Sequence, residues 1–490
     1  MVSIAISGFD YNHDIYELLR VFFPNEEIVQ LDDINSNKED YMVELNVRCN
    51  RCITNLYYNK KLLSSYEENL EKININREVD KTLRVGIKKS LYNCLERELN
   101  THLPWGILTG IRPGKIADEL FEKDTNEINI FNILTEEYKI RKDNAKLLID
   151  ISKKQKKYIY PIDNDRYSLY ISIPFCPTRC IYCSFPSLPI KKFDDEIPKY
   201  INTLIYELKC ISEMMKDRKL DSVYIGGGTP TSIPIRELER IIQTVYQEFG
   251  EHIKEFTVEA GRPDTIDKEV LQMLKDNNIN RISINPQTMN DKTLKIIGRN
   301  HSSQDIIKAY NMAKDIGIPT INMDLIIGLP GEGIEEIGHT LNLLGKLDPE
   351  NLTVHTLAVK RGSKYSENID KFDRKDIDII QNMIDETKLF AEKMHLNPYY
   401  LYRQKHMLGN FENIGYAKEG YECIYNISMM EEKETIIGAG MGSSSKIYYM
   451  RENRIGRIPN FKDLKEYINR IDELLEKKKN CLYRETINIF

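Results

Sequence analysis

At 490 residues, 41% hydrophobic and 29% charged, the chain is too long for one ordinary domain and too apolar for a disordered polypeptide. Its formal net charge of −6 excludes a global electrostatic pull toward nucleic acid or an anionic membrane. The opening residues MVSIAISGFD lack the basic start and long apolar core of a signal peptide, and no run approaches the ~18 apolar residues of a membrane span, so a soluble cytoplasmic protein is expected.

Residues 1–160 read as an N-terminal α+β accessory domain. Strand-like runs at Val2–Ile6, Tyr41–Val47 and Ile53–Tyr58 precede helical stretches near 79–99 and 115–150. The loop LPWGILTGIRPG, from Leu103 to Gly114, holds the sole tryptophan, Trp105. Its turn residues account for it structurally, while Arg112 and Lys115 are candidates to face an anion. Cys49 and Cys52 have a metal-ligand spacing, but no second pair lies nearby, and two strand or turn cysteines are the plainer reading. Lys153–Lys157 reads as a solvated linker or helix end.

From about 166 the pattern becomes a regular alternation of β-rich runs and amphipathic helices, assigned to a core at 161–396. The pairs are 167–174 with 195–217, 220–226 with 235–249, and 254–260 with 267–277. They continue as 280–285 with 291–316, 319–327 with 333–346, and 350–358 with 374–394. Such a series predicts an α/β fold whose parallel sheet curls into a full or partial barrel through right-handed crossovers. Residues 397–490 read as a separate C-terminal domain with a strand at 433–438 and a charged helix at 462–479. There Lys477, Lys478 and Lys479 are expected to complement the helix dipole at its end.

Nine cysteines, unevenly clustered, suit metal binding in a reducing compartment better than a disulfide framework. Three of them, Cys176, Cys180 and Cys183, lie directly after the first core strand. Thiolates so spaced can hold three irons of a 4Fe–4S cube, leaving the fourth iron without a local ligand. The other polar clusters also follow predicted strands: Gly226-Gly227-Gly228-Thr229 after the second, Glu259 closing the third, Asn285-Pro-Gln287 after the fourth and Asp324 near the end of the fifth. A parallel barrel brings all of them to one rim, where chemistry usually sits. The glycine run permits close backbone approach to a ligand, or serves as a packing turn. It lacks the Lys-Ser/Thr ending of a P-loop. Glu259 and Asp324 are candidate acceptors for a ribose or amino group.

On these residues the chain resembles the radical S-adenosylmethionine (SAM) superfamily. With Tyr170 six residues upstream of Cys176, and with Gln287, Arg299 and Asp324, it is similar to the oxygen-independent coproporphyrinogen III oxidase-like group, HemZ branch. Branch features also appear in Leu103–Lys115, in TVHTLAVKR from Thr353 to Arg361, and in YLYRQK from Tyr400 to Lys405. The resemblance implies a partial (β/α)6 barrel with an N-terminal α+β domain and a HemN-like C-terminal cap. It implies a 4Fe–4S cluster on Cys176, Cys180 and Cys183, with SAM on the open iron and Tyr170 beside both. Gly226, Gly227, Gly228 and Thr229 would take the methionine end of SAM. Glu259, Gln287, Arg299 and Asp324 would make polar contacts, Asp324 toward the ribose.

The reaction implied is reductive cleavage of SAM, then oxidative decarboxylation of two propionates of coproporphyrinogen III to vinyls, giving protoporphyrinogen IX in haem biosynthesis. A reductant such as flavodoxin or ferredoxin would supply the electron. Lys360, Arg361, Arg403 and Lys405 are candidate clamps for substrate carboxylates, or else solvated surface charges.

The chain departs from the oxidase pattern in having Phe185 in place of a further cysteine and Ser172 in place of a histidine. Cys183-Ser184-Phe185 is closer to the haem-chaperone branch. That branch's His-Asn-x-x-Tyr-Trp element, however, corresponds here to Tyr425-Asn426-Ile427-Ser428-Met429-Met430. A haem chaperone, or another tetrapyrrole-modifying radical SAM enzyme, is therefore the alternative reading.

Overall fold

The computed structural model describes residues 1–24, 26–31, 40–75, 78–110, 112–358, 365, 377–403 and 411–487. They form two compact units: Met1–Lys153 with Tyr402, Arg403 and Phe411, and a second built from the rest.

In the first unit, β1 (Val2–Ser7), β2 (Ile28–Gln30), β3 (Tyr41–Arg48), β4 (Arg51–Tyr58) and β5 (Lys61–Asn69) form a sheet in the order β2-β1-β3-β4-β5. β1 runs parallel to β2 and β3, whereas β3, β4 and β5 are successive antiparallel hairpins. The first hairpin turns at Cys49-Asn50, with φ of 48° and 58°, and the second at Asn59-Lys60, with φ of 48° and 65°. Two left-handed residues in a row match the twist of a two-residue hairpin. Cys49 is thus an exposed turn residue and Cys52 a buried strand residue, in keeping with the plainer reading. The stretch expected as one helix over 115–150 is broken into Gly114–Glu122, Glu127–Asn132 and Lys142–Ile159. Left-handed Asp124 and Lys139, with φ of 56° and 58°, lie in the breaks between them.

The second unit carries the six parallel core strands: β6 (Arg166–Ile173), β9 (Lys219–Gly227), β10 (Glu255–Val258), β11 (Arg281–Ser283), β12 (Thr320–Ile327) and β13 (Asn351–Thr356). A short ladder of β7 (Phe175–Cys176) with β8 (Leu188–Pro189) closes the loop after β6. One face of the strands is fully buried, through Leu169 and Ile171, Val223 and Ile225, Phe256 and Val258, and Met323 and Leu325. Helices Ile197–Met214, Ile235–Phe249, Lys268–Asp276, Ser303–Ile316 and Ile334–Leu347 alternate with these strands and carry matching buried stripes such as Ile201, Leu204 and Leu208. Alternation along each strand sends Tyr170, Tyr224, Asn322, Asp324 and His355, all half-buried, to the other face.

Residues after 396 do not stand apart from this core, as the sequence had suggested. β14 (Asn397–Tyr402), β15 (Asn413–Ala417), β16 (Thr435–Ala439), β17 (Ser444–Tyr449) and β18 (Arg454–Pro459) extend the same sheet to eleven strands, in the order β14-β15-β13-β12-β11-β10-β9-β6-β16-β17-β18. β16 lies parallel to β6, pairing Gly438 with Tyr170. The charged C-terminal helix also lies later than expected, Ile471–Ile487 after a short helix Leu464–Asn469, so Lys478 sits inside it rather than at its end. Its side chain is 2% exposed and paired with Glu207, whose side chain is fully buried, at 2.6 Å. Among the described residues, no helix is long and apolar enough to cross a membrane.

Candidate active site at the strand ends

The three cysteines occupy the loop that leaves β6 and returns through β8, where Leu188 N donates to Pro174 O at 2.7 Å. Cys183 N donates to Cys180 O at 3.2 Å, turning the loop back on itself. Burial pushes the Cys176 thiol up to about 11, and the Cys183 thiol also rises through burial. Thiolates here therefore need a cationic partner, and metal binding supplies one. Among the described residues, no three Cys, His, Asp or Glu side chains converge as one metal ion would require. A cubane makes a different demand, one thiolate at each of three separate corners.

The glycine run at the end of β9 lies against this loop. Gly228 N donates to Ile173 O at 2.7 Å and Thr229 N to Phe175 O at 2.8 Å. Thr229 Oγ1 reaches Cys176 Sγ at 3.6 Å. A Cβ on Gly228 would come within 2.5 Å of Phe175 O and 2.9 Å of Cys176 Sγ. Gly227 has φ of +109°, and a Cβ on Gly226 would meet Glu259 Oε2 at 2.8 Å. Here glycine is a steric requirement imposed by the neighbouring loop and carboxylate.

The polar residues expected at the rim do converge. Asn285 Nδ2 reaches Glu259 Oε1 at 3.4 Å. Gln287, left-handed at φ 65°, is held by its N on Asp324 O at 2.9 Å and by Ile326 N on its own O at 3.0 Å. Arg299 is buried; Nη1 donates to Gly261 O at 3.1 Å and Asn285 O at 2.6 Å, while Nη2 donates to Tyr182 OH at 3.2 Å. Asn322 Nδ2 donates to Asp324 Oδ1 at 2.7 Å, and His355 Nε2 stands 3.8 Å from Asp324 Oδ2. Sequence reasoning gave no role to Asn322 or His355. Their signal was the strand alternation shared with Asp324.

Tyr170 lies in a stack of three tyrosines. Its ring centroid is 6.2 Å from that of Tyr224 and 6.1 Å from that of Tyr425, and Tyr224 and Tyr425 are 4.8 Å apart. Tyr425 is placed from below: Glu255 accepts from Ile424 N at 2.9 Å and Tyr425 N at 3.0 Å, seating the start of helix Ile424–Glu431. Negative charge at a helix N-terminus is favourable, and Arg281 Nε, 3.2 Å from Glu255, balances it.

Glu259 has the most displaced carboxyl of the rim. Burial first, then the Asp324 charge, pushes it up to about 8, against a backbone hydrogen bond from Gly227 and the Arg299 charge. A folded-state value above the unfolded one means that this group's contribution to stability is fully present below about pH 4.5 and is lost as pH rises through about 8. In the cofactor-free protein, Glu259→Gln is expected to flatten denaturation free energy across that window by on the order of a few kcal/mol. A wild-type slope retained in Glu259→Gln would refute this assignment.

Of the four candidate carboxylate clamps, Lys360, Arg361 and Lys405 lie outside the described residues. Arg403 is a residue of the first unit, 2% exposed, with its guanidinium 5.6 Å from the centroid of Trp105 and Nη1 donating to Leu108 O at 2.7 Å. It is not a solvated surface charge. In the same unit Arg112 is half-buried and Lys115 exposed.

Residues 170–344 match the Radical SAM superfamily, so strand-end rim and cysteine loop together define a radical SAM protein. The chain is 40% identical over 408 residues to the oxygen-independent coproporphyrinogen-III oxidase-like protein HemZ of Bacillus subtilis (strain 168), covering 82% of this chain and 81% of the relative. It belongs to that coproporphyrinogen-III oxidase-like family. Heme chaperone HemW of the same organism is 29% identical over 299 residues, 61% of this chain and 75% of that protein. The structure of coproporphyrinogen III oxidase HemN from Escherichia coli, a radical SAM enzyme, superposes with a TM-score of 0.52 at 22% identity, over 65% of this chain and 71% of that one. That likeness establishes the shared fold.

Radical SAM proteins use a 4Fe–4S cluster and SAM. The residues present fit both groups. Asn285 Oδ1, Gln287 Oε1 and Arg299 Nε are buried at the rim without a hydrogen-bond partner, as groups awaiting a polar ligand would be.

Proposed function

We propose that the chain performs coproporphyrinogen III oxidase-type chemistry: anaerobic oxidative decarboxylation of propionate side chains to vinyls. The observation that carries this reading is the 40% identity to the oxidase-like HemZ over 82% of the chain. Cluster and SAM would supply radical chemistry at the carbon β to a propionate carboxylate. Cys176, Cys180 and Cys183 would hold three irons, and Gly226–Gly228 would admit the methionine end of SAM without side-chain obstruction, with Thr229 beside it. Glu259, Gln287, Arg299 and Asp324 orient SAM, with Asp324 toward the ribose and steadied by Asn322. A cationic group facing Glu259 would favour its carboxylate form, so the side chain would pair with an ammonium group there. Tyr170 and Tyr224 wall the site and keep water from the reacting carbon.

A haem-chaperone role is the second reading, favoured by Phe185 and by the HemW similarity. Against it stands Tyr425, at the position of that branch's histidine: it is 4% exposed and stacked beneath Tyr170. Anaerobic incubation of the reconstituted chain with SAM, a reductant and coproporphyrinogen III, followed by mass analysis, separates the two. Loss of one or two CO2 is expected. Tight haem binding with unchanged porphyrinogen would overturn the oxidase reading in favour of the chaperone. Formation of 5′-deoxyadenosine with unchanged porphyrinogen would keep the class and reject the substrate.

A further inference from the structure

The cysteine loop is tied down on its Thr178 side by residues that neither the motif nor the rim includes. Arg262, in the loop after β10, has a side chain only 4% exposed. Its Nε and Nη2 engage both oxygens of Asp264, at 3.0 and 2.9 Å. Its Nη1 donates to Thr178 Oγ1 at 2.8 Å and to Thr178 O at 3.2 Å. Thr178 Oγ1 in turn donates to Gly298 O at 3.2 Å. Behind the pair, His301 Nδ1 stands 3.7 Å from Asp264 Oδ1, with an imidazole side chain 1% exposed. Thr178 lies midway between Cys176 and Cys180. A planar, bidentate guanidinium fixes a partner's direction as well as its distance. On the other side of Cys180, Ile181 N donates to Ile297 O at 3.1 Å, so the loop is gripped from two neighbouring segments.

We propose that Arg262, backed by Asp264 and His301, is a positioning residue that fixes Thr178 and thereby the spacing of Cys176 from Cys180, setting where the open corner of the cluster faces. It touches neither the cluster nor SAM and acts through the threonine. This rests on the radical SAM assignment and is independent of the substrate.

The test uses the full chain, anaerobically reconstituted, with Arg262→Gln, Thr178→Val and, as a surface control, Arg240→Gln. Arg240 is exposed, bonding Glu237 and Asn202. Measurements are iron and sulfide per chain, the electron paramagnetic resonance spectrum of the reduced cluster with and without SAM, and SAM affinity. Arg262→Gln and Thr178→Val are expected to weaken SAM binding about tenfold, the usual scale for losing an outer-shell partner. Both are also expected to diminish the spectral change that SAM induces, while Arg240→Gln matches wild type. Arg262→Lys, keeping one donor but not the fork, falls between. Wild-type SAM affinity and spectral change in Thr178→Val, whose small substitution preserves the fold even if Arg262→Gln does not, would overturn the proposal. Loss of porphyrinogen turnover alone, with wild-type spectra and SAM affinity, would overturn it too.

Discussion

Cys180→Ala abolishes SAM cleavage and strips most of the iron from the anaerobically reconstituted protein, while the polypeptide keeps its fold. The two halves of this expectation have separate physical grounds. Cys180 is 9% exposed and sits between the other two proposed ligands of the loop, so its removal would leave one cluster corner without a thiolate. Two thiolates retain an incomplete cluster poorly, and an unligated iron exchanges with solvent. The loop itself does not depend on the sulfur. Arg262 holds Thr178, Arg299 holds Tyr182, and Ile297 O accepts from Ile181 N. Far-UV circular dichroism should therefore match wild type, with iron well below the wild-type content and 5′-deoxyadenosine below detection. Cys210→Ala, in helix Ile197–Met214, is the matched control and should cleave SAM normally. SAM cleavage retained by Cys180→Ala would refute the cluster assignment.

The contrast between those cysteines marks what the sequence could disclose. Cys176, Cys180, Cys183 and the Gly226–Gly228 run were legible because their chemistry is local: a fixed spacing, or a backbone that tolerates no Cβ. Glu259, Gln287 and Asp324 were legible one step further on, since a parallel strand series sends successive strand ends to one rim. Arg262 was not. Its meaning lies in Thr178, 84 residues away, and no periodicity links the two. Tyr425 was read through a lost histidine, whereas its place in the tyrosine stack comes from Glu255, 170 residues distant. β5 was missed because Lys61–Asn69 is largely polar, and its ladder with β4 rather than its own pattern makes it a strand. The supposed C-terminal domain failed for the same reason. β15 and β16 are completed by β13 and β6, partners that no local window contains, and β17 and β18 follow β16 as successive antiparallel neighbours.

Lys478 is the sharpest case of non-local meaning, and its replacement is expected to carry a large stability cost. It was read as a cation complementing the dipole at a helix end. Its Nζ instead lies 2.6 Å from Glu207 Oε1 and 2.5 Å from Gly438 O, fully enclosed. Glu207 also accepts from Tyr467 OH at 2.6 Å, Asn460 Nδ2 at 2.9 Å and Gly440 N at 2.7 Å. The cluster continues toward the site: Tyr200 OH accepts from Met441 N at 3.2 Å and donates to Ser172 O at 2.5 Å, at the end of β6 just before the cysteine loop. Removing one member of a buried ion pair strands the other charge at a cost of about 3–5 kcal/mol. Set against a typical stability of about 5–15 kcal/mol, that is a large share. Lys478→Met is expected to lower the denaturation midpoint accordingly. Lys477→Met, one residue away and exposed, should move it by less than about 0.5 kcal/mol. In a double-mutant cycle, Glu207→Gln with Lys478→Met should cost clearly less than the sum of the two singles, because each single alone leaves a charge or its donors unmatched. Additive losses, or equal effects at Lys477 and Lys478, would show that the pair does not hold the C-terminal helix to the rim.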